Sequence, residues 1–195
     1  MNFLAHVYLS GKNDHIRIGN FMADGIHGKN FDAFPADVQK GIRLHREIDS
    51  FTDFHPIFRQ SKHRLHERYG HYSGVIMDIF YDHFLAKNFS KYSEIPLEEF
   101  VQNFYKVLDT NFDILTPRFQ NILPILKLEN WFLLYATTEG LTHILHMMDR
   151  RTKLRSKMQF SIEELKLFYS EFESEFTLFF AEVQAFVAVK MQEME

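Results

Sequence analysis

The sequence predicts an all-α protein: a single-domain helical bundle of roughly seven or eight helices over residues 1–195. Three observations predict it. Apolar residues recur at spacings of three and four, and no alternating pattern persists long enough for a strand. Proline, glycine and capping residues divide the chain into helix-length pieces. Finally, 46% hydrophobic side chains, including 22 Phe, are enough apolar volume for one sizeable core.

Each element has its own signal. Pro35 suits the first turn of a helix running to about Thr52, and His55-Pro56 breaks it. A second helix resumes from Pro56 to about Tyr69, where Gly70 ends it. Gly74 precedes a helix containing DIFYDHFL, residues 78–85. Pro96, followed by Glu98 and Glu99, opens another, with Phe100, Phe104 and Val107 or Leu108 on one face. Thr116-Pro117 reads as an N-cap and first-turn pair. Asn130 is a candidate cap for a helix from Trp131 to about Met148, with Gly140 inside it. Ser161-x-x-Glu164 has the form of a capping box, and a long helix follows. Its stripe is Leu165, Phe168, Phe172, Phe176, Phe179, Val183 and Phe186, a spacing that marks core.

Composition narrows the chemistry. Without cysteine there are no disulfides, thiolate zinc sites or cysteine nucleophiles. A net charge of −4 argues against broad nucleic-acid binding. The N-terminal stretch lacks the form of a signal peptide, and no apolar run approaches the ~20 residues of a membrane span. A soluble cytoplasmic protein with no membrane association is expected. Charge is uneven, however: Lys40, Arg43, Arg46, Arg59, Lys62, Arg64 and Arg68 outnumber the acids among them. That segment is either a solvated helix face or a surface for an anionic partner.

Polar residues on apolar faces carry the functional signal. Val38, Ile42, His45, Asp49 and Thr52 share one helix face, and so do Val75, Asp78, Asp82 and Leu85. Two helices thus each direct an i,i+4 polar pair inward. A buried carboxylate is costly unless it is paired, hydrogen-bonded or bound to metal. For Asp78 and Asp82 this leaves a divalent cation, or an ion pair such as Asp82 with Arg43 or Arg46. Imidazole with carboxylates suits Mn²⁺, Fe²⁺ or Zn²⁺, and an oxygen-rich mixture shifts the balance to Mn²⁺ or Mg²⁺. A di-iron carboxylate bundle would need Glu-x-x-His pairs, but Glu67 and Glu139 each have a histidine four residues on. His6 in NFLAHVYL and Asp24 in GNFMADGIHG have apolar neighbours, and the glycines around Asp24 would permit close approach of backbone to a ligand.

Four segments together, MNFLAHVYLS, GNFMADGIHG, GIRLHREIDSFTDFHP and DIFYDHFLA, resemble the acyl carrier protein phosphodiesterase family, and LTHILHMMDRR is similar to it as well. The resemblance covers about the first 90 residues in order. It implies an all-helical, metal-dependent enzyme, a divergent relative of the HD phosphohydrolases, with Mn²⁺ favoured. The implied reaction is hydrolysis of the phosphodiester joining 4′-phosphopantetheine to a serine of acyl carrier protein. By motif, the implied metal ligands are His6, Asp24, His45, Asp49, Asp78 and Asp82, with Asp24, His45 and Asp82 closest to the chemistry. Lys40, Arg43 and Arg46 would neutralise phosphate charge, and the basic segment from Lys40 to Arg68 would dock the acidic carrier. Two alternatives remain: a metal phosphohydrolase acting on a nucleotide or another small phosphodiester, and a helical metal-binding protein without catalysis.

Overall fold

The computed structural model describes residues 1–28 and 31–194. Among them lie eleven α-helices and no strand. The chain opens with two short helices, α1 (Phe3–Leu9) and α2 (Asp14–Met22). Next come α3 (Ala36–Phe54), α4 (Pro56–Tyr69) and α5 (Ser73–Lys87). The second half consists of α6 (Leu97–Thr110), α7 (Pro117–Leu128), α8 (Trp131–Leu134), α9 (Thr138–Arg151), α10 (Ile162–Leu167) and α11 (Tyr169–Glu193). No helix among the described residues is long and apolar enough to cross a membrane.

The boundaries follow backbone chemistry. His55, held extended at φ −67° and ψ 129° ahead of Pro56, ends α3 and stands at the N-cap position of α4 without a side-chain cap bond. Gly70 at φ +53° ends α4 in a conformation that glycine tolerates best.

The helix count exceeds the expected seven or eight partly because two expected helices are each divided. The segment from Trp131 to Met148 breaks after Leu134. Asn130 is left-handed at φ 50° and makes no cap; Thr137 does, its hydroxyl accepting from Gly140 N–H at 3.0 Å. Gly140 lies so close to the Leu134 carbonyl that a Cβ there would sit 2.2 Å from its oxygen. The C-terminal helix divides at Phe168, and Ser161 forms no capping box, because its hydroxyl donates to the Met158 carbonyl. Thr116 stands at the N-cap of α7 but makes no side-chain cap bond.

Helix α5 is the centre of the molecule. From Ile79 to Ala86 every residue is buried, as for a helix covered on all sides. It packs on α1, α4, α9 and α11. Phe172, Phe176, Phe179, Phe180 and Val183 of α11 are fully buried, each phenyl group contributing about 1.5–3 kcal/mol of burial. On the other side, α2 and α3 touch backbone to backbone. A Cβ on Gly19 would lie 2.1 Å from the Val38 oxygen, and one on Gly41 2.2 Å from the Ile16 oxygen. Gly19 and Gly41 therefore serve helix packing.

Candidate metal centre

The close α2–α3 contact fixes an imidazole. Ser10 Oγ donates to the His6 carbonyl at 2.7 Å, and Asn20 Nδ2 donates to Ser10 Oγ at 2.8 Å. That leaves Asn20 Oδ1 (3.1 Å) and the Asn20 carbonyl (2.9 Å) facing His45 Nδ1. Both are acceptors, so His45 Nδ1 carries the hydrogen and Nε2 is turned into the site. Nε2 lies 3.1 Å from Asp49 Oδ2, one helical turn on, and 3.1 Å from Asp24 Oδ1. Asp24 sits in the 3₁₀ turn Ala23–Gly25 that follows α2.

Helix α1 supplies the second imidazole. The His6 ring stacks on His45 with centroids 3.9 Å apart, and its Nε2 lies 3.2 Å from Asp49 Oδ1 and 3.1 Å from the Met1 carbonyl. Among the described residues, His6, His45 and Asp49 each bring one ligand atom within 4.8 Å of the others. Both histidines are buried, whereas the carboxylates of Asp49 and Asp24 are partly open to solvent. Potential ligand atoms from two helices thus converge at the edge of a cavity, with carboxylates on the open side. The residues fit a divalent cation, and a histidine whose other nitrogen is fixed by a carbonyl is the usual form of such a ligand.

Burial and the neighbouring imidazole lower His6 to about 4, so it is neutral. Burial also lowers His45, but hydrogen bonds to Asp24 and Asp49 outweigh it and bring it to about 9. Asp49 lies well below the usual carboxylate range: burial raises it, and the two imidazoles more than reverse this. Asp24 is lowered by its hydrogen bond to His45. Without a cation between them, the carboxylates are balanced by a proton on His45.

The other two expected ligands have partners of their own in the fold. Asp82 is fully buried and accepts the Asn2, Leu4 and Ala5 backbone N–H groups at 3.3, 2.8 and 3.3 Å. It caps the first turn of α1 from a helix about eighty residues later, satisfying amides that a helix leaves unpaired. Burial raises its carboxyl to about 7, against the pull of the Met1 amino group and these amides. Neither Arg43 nor Arg46 pairs with it. Asp78 Oδ1 lies 2.8 Å from the Met1 amino nitrogen and borders the cavity, as does Asp49.

The basic residues are largely committed. Lys40 pairs with Asp37 at 3.3 Å, away from this cavity. Arg43 and Arg46 lie over the Phe31 ring, and Arg46 also binds the Ile26 and Gly28 carbonyls, holding the loop behind Asp24. Arg64 makes two hydrogen bonds to the buried Glu175, and Arg68 pairs with Glu163 and Glu164. The cavity, of about 340 Å³, is lined instead by Arg118, which the sequence did not single out, and by Arg151, which ends the segment LTHILHMMDRR but was given no role there.

Fold and site place the chain among all-helical proteins that carry a histidine–carboxylate centre at the mouth of a cavity. The family model for acyl carrier protein phosphodiesterase matches residues 1–183, and the chain belongs to that family. An acyl carrier protein phosphodiesterase from Photorhabdus laumondii is 32% identical over 181 residues, covering 92% of this chain and 91% of that one. Proteins of the same name from Pectobacterium atrosepticum and Shigella boydii are 30% and 31% identical, covering 92% and 95% of this chain and 94% and 96% of theirs. No solved structure gives a significant match.

Proposed function

We propose that this protein hydrolyses the phosphodiester between 4′-phosphopantetheine and a serine of acyl carrier protein, releasing apo carrier and 4′-phosphopantetheine. The observation that carries the proposal is the convergence of His6, His45 and Asp49 beside a cavity, in a chain whose relatives bear that enzyme's name along nearly their whole length. His6, His45 and Asp49 would hold a divalent cation, Mn²⁺ before Mg²⁺, Fe²⁺ or Zn²⁺, with Asp24 alongside. Such a cation supplies Lewis acidity toward a phosphoryl oxygen and water.

The chain's own residues do the rest. Asn20 and Ser10 hold His45 in one tautomer, so that its Nε2 lone pair is available. Asp24, ionised at neutral pH and open to solvent, orients water and accepts its proton. Arg46 positions Asp24 through the loop behind it. Asp82 contributes indirectly, by keeping α1 and therefore His6 in place.

The test is the mass of holo acyl carrier protein incubated with the enzyme and Mn²⁺. It should fall to the apo value as 4′-phosphopantetheine is released. An unchanged mass with Mn²⁺, Mg²⁺ and Zn²⁺ each supplied would refute the proposal.

A further inference from the structure

Arg118, in the first turn of α7, and Arg151, the last residue of α9, border the same cavity as Asp24, Asp49, Asp53 and Asp78. Among the described residues neither arginine forms an ion pair, although four aspartates share the cavity with them. Each guanidinium rests on a ring instead: Arg118 Cζ lies 5.7 Å from the Phe119 centroid and Arg151 Cζ 5.6 Å from that of Trp131. A ring beneath a guanidinium leaves its edge N–H groups able to bond elsewhere; here the one side-chain partner among the described residues is the weak acceptor Met148 Sδ, 3.6 Å from Arg151 Nη1. Edge donors left free beside a candidate cation site match a phosphate group, which accepts bidentate hydrogen bonds.

The rest of the wall has another character. Val75, Trp131, Ile144, Met147 and Met148 give the cavity an apolar side, and methionines adapt to irregular apolar shapes. At about 340 Å³ the cavity lies in the range of small-molecule sites. Charged and apolar groups thus share one lining, with Arg151 directly beside Trp131 and Met148, as a ligand that carries a phosphate on an uncharged chain requires.

We propose that Arg118 and Arg151 bind the phosphate, and that the wall formed by Trp131, Ile144, Met147 and Met148 takes the pantetheine arm, leaving the carrier serine at the cavity mouth. This rests on the hydrolysis proposed above and assigns to Arg118 and Arg151 the phosphate role that the sequence pattern suggested for Lys40, Arg43 and Arg46.

Equilibrium binding tests it without turnover. The affinities of 4′-phosphopantetheine and of pantetheine, which lacks the phosphate, are measured by calorimetry with Mn²⁺ present throughout. The unaltered protein should prefer the phosphorylated compound. Arg118→Gln and Arg151→Gln should each reduce that preference by about tenfold, the scale of one charge-assisted contact, with pantetheine affinity held within about twofold. Trp131→Ala should weaken both compounds alike. A preference unchanged in both arginine variants overturns the phosphate assignment, and Trp131→Ala without effect on either compound overturns the assignment of the arm. Hydrolysis of holo carrier by the unaltered protein is followed in parallel. Turnover with an unchanged preference overturns this inference alone, whereas no turnover and no binding of either compound overturns the proposed function with it.

Discussion

Metal binding to this site should expel a proton from His45, and the structure sets the size of the effect. With Nδ1–H committed to Asn20, His45 has only Nε2 to offer, and without a cation the two facing carboxylates keep that nitrogen protonated. Its pKa is about 9, so at pH 7 the free-base form is about one part in a hundred. Apparent metal affinity at pH 7 should therefore fall about 100-fold below its alkaline limit, or about 2.7 kcal/mol. An ordinary histidine near pKa 6.5 would cost less than about twofold. Titrations with Mn²⁺ between pH 6 and pH 8 should show close to a tenfold gain in affinity per pH unit. Calorimetry in buffers of different ionisation enthalpy should count about one proton released per ion at pH 7. Affinity flat across that range, with no proton released, would refute the assignment of His45 as a ligand.

Gly41→Ala would drive a Cβ into the Ile16 oxygen and the Asn20 nitrogen; a loss of about 3 kcal/mol or more in denaturant unfolding is expected, together with loss of metal-induced stabilisation. Asp82→Asn would place an amide where three backbone donors converge, lowering stability by about 1–3 kcal/mol in melting experiments and weakening metal binding through a displaced His6; unchanged melting would contradict the capping role. In the metal-free protein the raised pKa of His45 contributes stability that is complete below about 6.5 and lost as pH rises through about 9. The lowered Asp24 and Asp49 contribute stability present above about 3.8 and lost as pH falls below it. Melting temperature without metal should thus peak in mildly acidic buffer and decline toward alkaline pH, and a peak above pH 9 would contradict the cluster's charge assignment. Arg64→Glu should destabilise the fold by leaving the buried Glu175 without its cation, whereas Arg59→Glu, at a cation that forms no ion pair among the described residues, should change melting little and raise the KM for holo carrier.

The helical class and the inward pair His45–Asp49 were legible because both depend on spacing along one helix. The fate of Asp78 and Asp82 was not legible, although the same spacing marked them. Their partners are the Met1 nitrogen and the amides of residues 2, 4 and 5, and a backbone amide has no residue type for a pattern to detect. The close fit of Gly19 and Gly41 was equally hidden, since each glycine looks local until α2 and α3 are seen to meet. Charge counting pointed to Lys40, Arg43 and Arg46, but a cation's availability depends on what already binds it. Arg118 carries no sequence signal beyond its charge, and Arg151 only its place at the end of LTHILHMMDRR; what distinguishes them is the absence, among the described residues, of an ion pair in a cavity lined by aspartates.

The site and the core share the same bonds. Helix α1, at seven residues, is too short to hold itself, since isolated helices shorter than about 12 residues are marginal in water. It is fixed at one end by Asp82 of the central helix and at the other by Ser10, whose hydroxyl links the His6 carbonyl to Asn20. Asn20 in turn sets the tautomer of His45. A single path of hydrogen bonds and packing therefore runs from a buried carboxylate, through the position of one imidazole, to the protonation of the other. This explains why a carboxylate sits inside the central helix of the protein. Asp82 need not touch metal or substrate to matter for either, because it determines where His6 stands.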